Sequence, residues 1–286
     1  MTKLLQAPDG LKRKVLKIAD NLGDVLIECE SCYGACDIAI NEAKILGCDG
    51  IIHLGHSKLV ESDLPVEYKE LRESFNIKPF LKKLNIKEKK IGLVTSVQFI
   101  DSLKTVKEFL ENKGKIVKIG KGKFNPGQIL GCDISSAKEI EKDVDAFLYI
   151  GSGHFHPLGL VLQTKKPVYL LDLEKNEVEE IRKLKEKFLK QRFATIALAK
   201  DAKTFGILIS VKPGQLKLEL AKKIKKNLEE RGKKAYILVF NEIKPEKLEG
   251  LDLDCYINTA CPRIAVENRT EFKKPILNYE EIENFI

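Results

Sequence analysis

No stretch of this 286-residue chain approaches the ~20 consecutive apolar residues of a membrane span, and the opening Met1-Thr2-Lys3-Leu4-Leu5-Gln6 lacks the long apolar segment of a secretory signal. Both absences point to a cytoplasmic protein. No basic run interleaved with aromatics and no nucleic-acid motif is present, so the net charge of +8 does not imply a nucleic-acid partner. The excess is lysine mixed with glutamate, as over 183–190 and 217–231, at spacings that put both signs on a solvated helix face. The single methionine is compatible with a thermophile's usage or a biased genome and carries no functional reading.

A zinc ribbon is also missing. Cys29-Glu30-Ser31-Cys32 is a CxxC and Cys32 to Cys36 a Cx3C, but no second Cys/His pair follows at similar spacing. The Cx3Cx2C pattern of the usual radical enzymes would need a cysteine where Ala39 stands. Seven cysteines, an odd number in a reducing compartment, argue against a disulfide framework and leave metal or redox chemistry. Cys48 and Cys255 lie in apolar contexts and read as packing residues, and Cys29 and Cys32 as structural or auxiliary thiols.

What is present is a repeating pattern. Apolar β-branched runs alternate with lysine-rich helical segments, which argues for βαβ units around parallel sheets, an α/β chain. Strands are expected at 24–27, 50–54, 90–95, 116–119, 146–150, 168–172, 204–210, 234–240, 254–258 and 275–278. Helices are expected at 11–22, 37–46, 100–113, 176–198 and 215–231. Segments starting at Asp49, Asp145 and Asp254 each run acidic residue, apolar strand, small-residue loop, a recurrence at roughly a hundred residues. Three similar parallel-sheet domains follow, 1–88, 89–191 and 192–286, each carrying one cysteine in a loop of small residues: Cys36, Cys132 and Cys261.

In open parallel sheets ligands bind beyond the carboxyl ends of the strands. All four histidines fall in two such loops, His53 and His56 in one, His154 and His156 in the other. If the three domains pack around a pseudo-threefold centre, Cys36, Cys132 and Cys261 can ligate three irons of a [4Fe-4S] cube and leave the fourth open. Zinc held by three thiolates and water, or three unrelated thiols, remain alternatives on the residues alone.

The segments Gln6-Ala7-Pro8-Asp9-Gly10-Leu11, Tyr33-Gly34-Ala35-Cys36-Asp37, Leu54-Gly55-His56-Ser57, Thr95-Ser96-Val97-Gln98-Phe99, Gly127-Gln128-Ile129-Leu130-Gly131-Cys132, Gly153-His154-Phe155-His156-Pro157, Gly214-Gln215 and Ala260-Cys261-Pro262-Arg263, in that order, closely resemble the archaeal diphthamide synthases. These are the 2-(3-amino-3-carboxypropyl)histidine synthases. The resemblance implies a homodimer whose cluster ligands match Cys36, Cys132 and Cys261. It also implies transfer of the 3-amino-3-carboxypropyl group of S-adenosylmethionine to a histidine of translation elongation factor 2, with release of 5′-methylthioadenosine and a need for an electron donor. Residues expected to hold the cofactor are Gly55, His56, Ser57, Gln98, Gly153, His156 and Gln215.

Departures from the family pattern lie at the ends and at His154: the sequence begins close to Gln6, so a helix that precedes this segment in longer relatives is expected to be absent or mis-started, the C-terminal tail is short, and His154 occupies a position the pattern leaves variable, often arginine. The nearest rival is a quinolinate synthase-like [4Fe-4S] dehydratase, separated by whether methylthioadenosine is formed. A noncatalytic partner subunit is the other alternative, against which the three cysteines argue.

Overall fold

The structure of the chain, a computed structural model, describes residues 2–74 and 76–282. In the first sheet, β1 (Lys3–Gln6) is followed by α1 (Lys12–Ala19), β2 (Val25–Ile27), α2 (Ile40–Ile45), β3 (Gly50–Leu54) and β4 (Val66–Lys69), and the strands lie in the order β2-β1-β3-β4. All pairings are parallel. Neighbouring residues of one strand point to opposite faces: Leu4 and Ile51 pack with Ala43 and Cys48, whereas Leu5 and Ile52 pack with Val15. Both faces of the central strands β1 and β3 are therefore covered, whereas the edge strands β2 and β4 are only partly buried.

The second sheet follows α3 (Lys78–Leu81). It is built from β5 (Lys90–Thr95), α4 (Ser102–Asn112), β6 (Ile116–Lys118), α5 (Ser135–Ile140), β7 (Ala146–Gly151), α6 (Phe155–Gln163), β8 (Val168–Asp172) and β9 (Glu177–Glu180), in the order β6-β5-β7-β8-β9. After α7 (Arg182–Lys200), the third sheet uses β10 (Thr204–Ser210), α8 (Leu218–Glu230), β11 (Lys234–Phe240), β12 (Cys255–Asn258), α9 (Arg263–Val266), β13 (Ile276–Asn278) and α10 (Tyr279–Ile282), in the order β11-β10-β12-β13. Second, first, third, fourth is thus the strand order of every sheet, with one strand added to the middle one. The chain divides into two compact units, Met1–Lys185 and Glu186–Ile286, so the first two sheets share a unit and the third stands in its own. Among the described residues no helix is long and apolar enough to cross a membrane.

The helix expected from 176 begins instead at Arg182, because Glu177–Glu180 forms an edge strand antiparallel to β8. Its glutamates are exposed, so the charge pattern mimics a helix face while blunting the sheet edge. Asn176 makes the preceding turn at φ 54, a left-handed conformation asparagine tolerates. The short β1 and β4 carry too few residues to show a period, yet β1 is paired on both sides.

Within the second unit, α7 is anchored by Arg192, which is buried. Its guanidinium donates to both carboxylate oxygens of Glu281 and to the carbonyls of Ala265 (3.0 Å) and Ile276 (3.2 Å).

Candidate functional site

In each sheet the strand order reverses between its first and third strands, and loops leaving those carboxyl ends diverge to open a crevice. Gly55, His56 and Ser57 follow β3, Gln98 follows β5, Gly153 and His156 follow β7, Gln215 follows β10, and Cys261 follows β12. Every expected cofactor residue therefore sits beside such a switch point. Cys36 and Cys132 follow the second strand of their sheets, β2 and β6, so the three cysteines do not occupy equivalent places in the repeat.

At the first switch point, His53 lies within β3 rather than in a loop, opposite Gln6 in the β1–β3 register, and is fully buried. Gln6 is oriented from both ends. Its Nε2 donates to the Asp37 carbonyl (2.7 Å), so its Oε1 accepts from Ala39 N–H (3.3 Å) and faces His53 Nδ1 at 2.9 Å. His53 must then donate from Nδ1, and its Nε2 lone pair meets His56 Nδ1 at 2.9 Å. Burial pushes His53 down to about 3, the neighbouring His56 adding to the effect, and burial alone pushes His56 down to about 4. The first unit therefore holds two neutral imidazoles whose tautomers are set by one amide. Gln6 also grips the loop that carries Cys36, since Asp37 N–H donates to Gly34 O (2.9 Å) beside it.

Ser57 belongs to a second polar group spanning the first two sheets. Its hydroxyl lies 2.6 Å from Glu70 Oε1 and 3.0 Å from Gln128 Oε1, and Asn125 Nδ2 donates to both of those oxygens at 2.8 Å. Burial raises the Glu70 carboxyl, but donors from Ser57, Arg72 and Asn125 outweigh it and hold the group below the usual carboxylate range. Gln128 begins the segment that ends at Cys132. That segment is stitched to the end of β5 by Thr95 N–H to Gly127 O (2.9 Å) and Ile129 N–H to Thr95 O (2.8 Å). It is also seated on α6: a Cβ on Gly131 would stand 2.3 Å from the Phe155 ring, and one on Gly159 would stand 2.4 Å from the Gly131 carbonyl oxygen. His156 continues from Phe155, its ring centroid 6.3 Å from that of Tyr149, while His154 pairs with Glu179 (2.6 Å) near the surface.

In the second unit, Asn258 at the end of β12 donates from Nδ2 to the carbonyl of Cys261 (2.8 Å) and to Asn278 Oδ1 (2.7 Å), which ties the cysteine's turn to β13. Gln215 is buried in the turn before α8, its N–H donating to Lys212 O (2.9 Å).

The seven cysteines separate by environment. Cys36 and Cys261 are half-buried and Cys132 exposed, all on loops; Cys48 and Cys255 are buried in apolar clusters. Burial pushes the Cys255 thiol up to about 12, which keeps it protonated and unsuited to metal. Cys29 is exposed and Cys32 buried. Sequence reasoning assigned no role to Gln6, Glu70, Asn125 or Gln128; the signal for Gln6 was a polar residue ending an otherwise apolar strand.

A family profile described as "Putative diphthamide synthesis protein" matches residues 7–286. The chain belongs to the diphthamide synthesis family. It is 40% identical to the 2-(3-amino-3-carboxypropyl)histidine synthase of Pyrococcus horikoshii over 98% of this chain and 84% of that protein, and 31% identical to the synthase of the same name from Methanocaldococcus jannaschii over 99% and 84%. Subunit 1 of the Caenorhabditis elegans synthase is 30% identical over 96% of this chain and 72% of its own. The crystal structure of Dph2 from Pyrococcus horikoshii with a 4Fe-4S cluster superposes with a TM-score of 0.89 at 39% identity, covering 99% of this chain and 85% of that one. The Pyrococcus protein thus shares the α/β architecture of the three sheets described above.

Proposed function

We propose that the chain is a 2-(3-amino-3-carboxypropyl)histidine synthase. It transfers the 3-amino-3-carboxypropyl group of S-adenosylmethionine to a histidine of translation elongation factor 2 and releases 5′-methylthioadenosine, with a [4Fe-4S] cluster held by Cys36, Cys132 and Cys261. The observation that carries this reading is the sorting of the cysteines: Cys36, Cys132 and Cys261 stand accessible in loops beyond strand ends, one after a strand of each sheet and with Cys29 as a further exposed thiol, whereas Cys32, Cys48 and Cys255 are buried. Accessible thiols are the donor chemistry an iron–sulfur cluster requires, and the Pyrococcus relative of 39% identity holds such a cluster. When bound, the cluster supplies the electron that opens a carbon–sulfur bond of the sulfonium.

The protein's own work is alignment, because positioning decides which of three carbon–sulfur bonds is presented. Gly55 and Gly153 adopt φ of 86 and 70, so their loops turn sharply at strand ends; Gly153 is exposed with open space beside it, whereas Gly55 is buried against Pro8 and Leu11 and shapes the turn that carries His56 and Ser57. Gln98 after β5, His156 in the first turn of α6 and Gln215 before α8 are the side chains assigned to the cofactor, and His56 and Ser57 complete the set in the first sheet. Gln6 and His53 hold the His56 ring in one orientation. The reading includes a cytoplasmic homodimer that takes electrons from a separate donor.

The test is anaerobic purification followed by dithionite, S-adenosylmethionine and elongation factor 2. Methylthioadenosine and a histidine gaining the aminocarboxypropyl mass are expected. Failure to form methylthioadenosine in iron-replete protein removes the proposal, and condensation of small acids instead favours the quinolinate synthase-like alternative.

A further inference from the structure

Beside the switch point of the first sheet, one atom from each of Cys32, His53 and His56 lies within 4.8 Å of the other two, two nitrogens and one sulfur converging from a loop and from the end of β3. We propose that these three residues form a second metal site, distinct from the cluster cysteines, for one borderline divalent cation of the zinc type.

The donor set selects the class of ion. Imidazole and thiolate suit zinc and its transition-metal neighbours, whereas magnesium and calcium take oxygen ligands. Cys32 is 3% exposed and His53 fully buried, while half-buried His56 leaves one side open for a fourth ligand such as water.

The hydrogen bonding around the group is that of a prepared ligand. Gln6 fixes the Nδ1–H of His53 and thereby directs the Nε2 lone pair at the centre of the three atoms, as second-shell amides and carbonyls do for metal-bound histidines. His56 Nδ1 then donates to that lone pair across 2.9 Å. Two nitrogens on one tetrahedral zinc stand about 3.3 Å apart, given metal–nitrogen bonds of about 2.05 Å. A few tenths of an ångström of opening therefore converts the hydrogen bond into two metal bonds. His56 shifts its proton from Nδ1 to Nε2, and the Cys32 thiol releases its proton to solvent.

The site would act on the Cys36 loop. Cys32 and Cys36 share the segment that Gln6 already grips at Asp37, so a metal joining Cys32 to the end of β3 clamps that segment at a second point. The proposal does not rest on the transferase reading, although it shares His56 with the residues assigned there to S-adenosylmethionine, and cobalt binding is read out whether or not methylthioadenosine is formed.

The test uses the full chain with Cys36→Ser, Cys132→Ser and Cys261→Ser, which removes the thiols assigned to the cluster, titrated anaerobically with cobalt(II). One equivalent is expected to produce a thiolate-to-cobalt band in the near ultraviolet and tetrahedral d–d bands in the visible, both abolished by adding Cys32→Ser and retained on adding Cys29→Ser. Zinc should raise the melting temperature of the triple variant and leave that of its Cys32→Ser derivative unmoved, with the two melting alike in chelator so that misfolding is not mistaken for lost binding. Absence of the bands, or bands that survive Cys32→Ser, overturns the proposal.

Discussion

Alanine at Gly159 is the sharpest perturbation of the Cys132 loop that leaves every proposed ligand in place. Gly159 is the fifth residue of α6, and a Cβ there would stand 2.4 Å from the Gly131 carbonyl oxygen and 2.9 Å from its Cα. That is 1.0 Å short of the 3.4 Å at which ordinary contact begins. Two effects compete. Helix propensity favours alanine over glycine by about 1 kcal/mol, and overpacking costs about 1–3 kcal/mol. The obstructing atom is backbone, so no side-chain rotation relieves the contact and the loop must move bodily. It is held on its other side by the bonds between Thr95 and residues 127 and 129, so displacement concentrates at Gly131 and Cys132. We expect Gly159→Ala to lower stability by up to about 2 kcal/mol net, the upper end of the overpacking cost less the gain in helix propensity, because the obstructing atom is backbone, and to reduce iron retained after anaerobic reconstitution. Thermal melting of the metal-free protein and iron analysis check the two parts. A variant that melts as high as the parent and binds iron fully would refute the reasoning that this close approach positions Cys132.

Arg192→Ala should destabilise the second unit by about 3–5 kcal/mol, since it strands the half-buried Glu281 carboxylate and two carbonyls, and denaturant unfolding followed with a probe in that unit reads this out. Glu70→Gln removes the charge of a carboxylate that meets Ser57 and Asn125 at Oε1 and Arg72 at Oε2 and turns one of those oxygens into an amide donor; it is expected to cost about 1–2 kcal/mol by denaturant melt, a loss that would be absent if the group were only a surface coincidence. His53 and His56 titrate near 3 and 4 when folded against about 6.5 unfolded, so the unfolded chain binds more protons in between. Stability present above pH 6.5 should therefore be lost as pH falls toward 4, by at most about 1.4 kcal/mol per pH unit for each imidazole. Measured on metal-free protein between pH 6.5 and 5.5, the slope should flatten in a His53→Asn, His56→Asn variant, and an unchanged slope contradicts the burial argument.

Much of the architecture was legible because strands buried on both faces leave long apolar runs: β5 and β10 matched expectation residue for residue, as did the edge strand β11, whose exposed Tyr236 and Val239 keep its run apolar. β1 was not, since four residues carry no period, and with it went the role of Gln6, whose meaning depends on a register partner, His53, 47 positions away. β9 was hidden by glutamates that suit an edge strand and a helix equally. The loop positions of Cys36, Cys132 and Cys261 could be read from flanking glycine, alanine and proline, as could the burial of Cys48 and Cys255 from their apolar neighbours. Cys32 could not be placed from its CxxC spacing, because its neighbours in space come from the end of β3.

Iron and sulfide content of seven single cysteine-to-serine variants, purified without oxygen, tests the central assignment most directly. The account predicts that serine at Cys36, Cys132 or Cys261 removes the cluster and that serine at Cys29, Cys32, Cys48 or Cys255 leaves four irons per chain. Full iron in any of the first three, or zinc in place of iron in the parent protein, contradicts it.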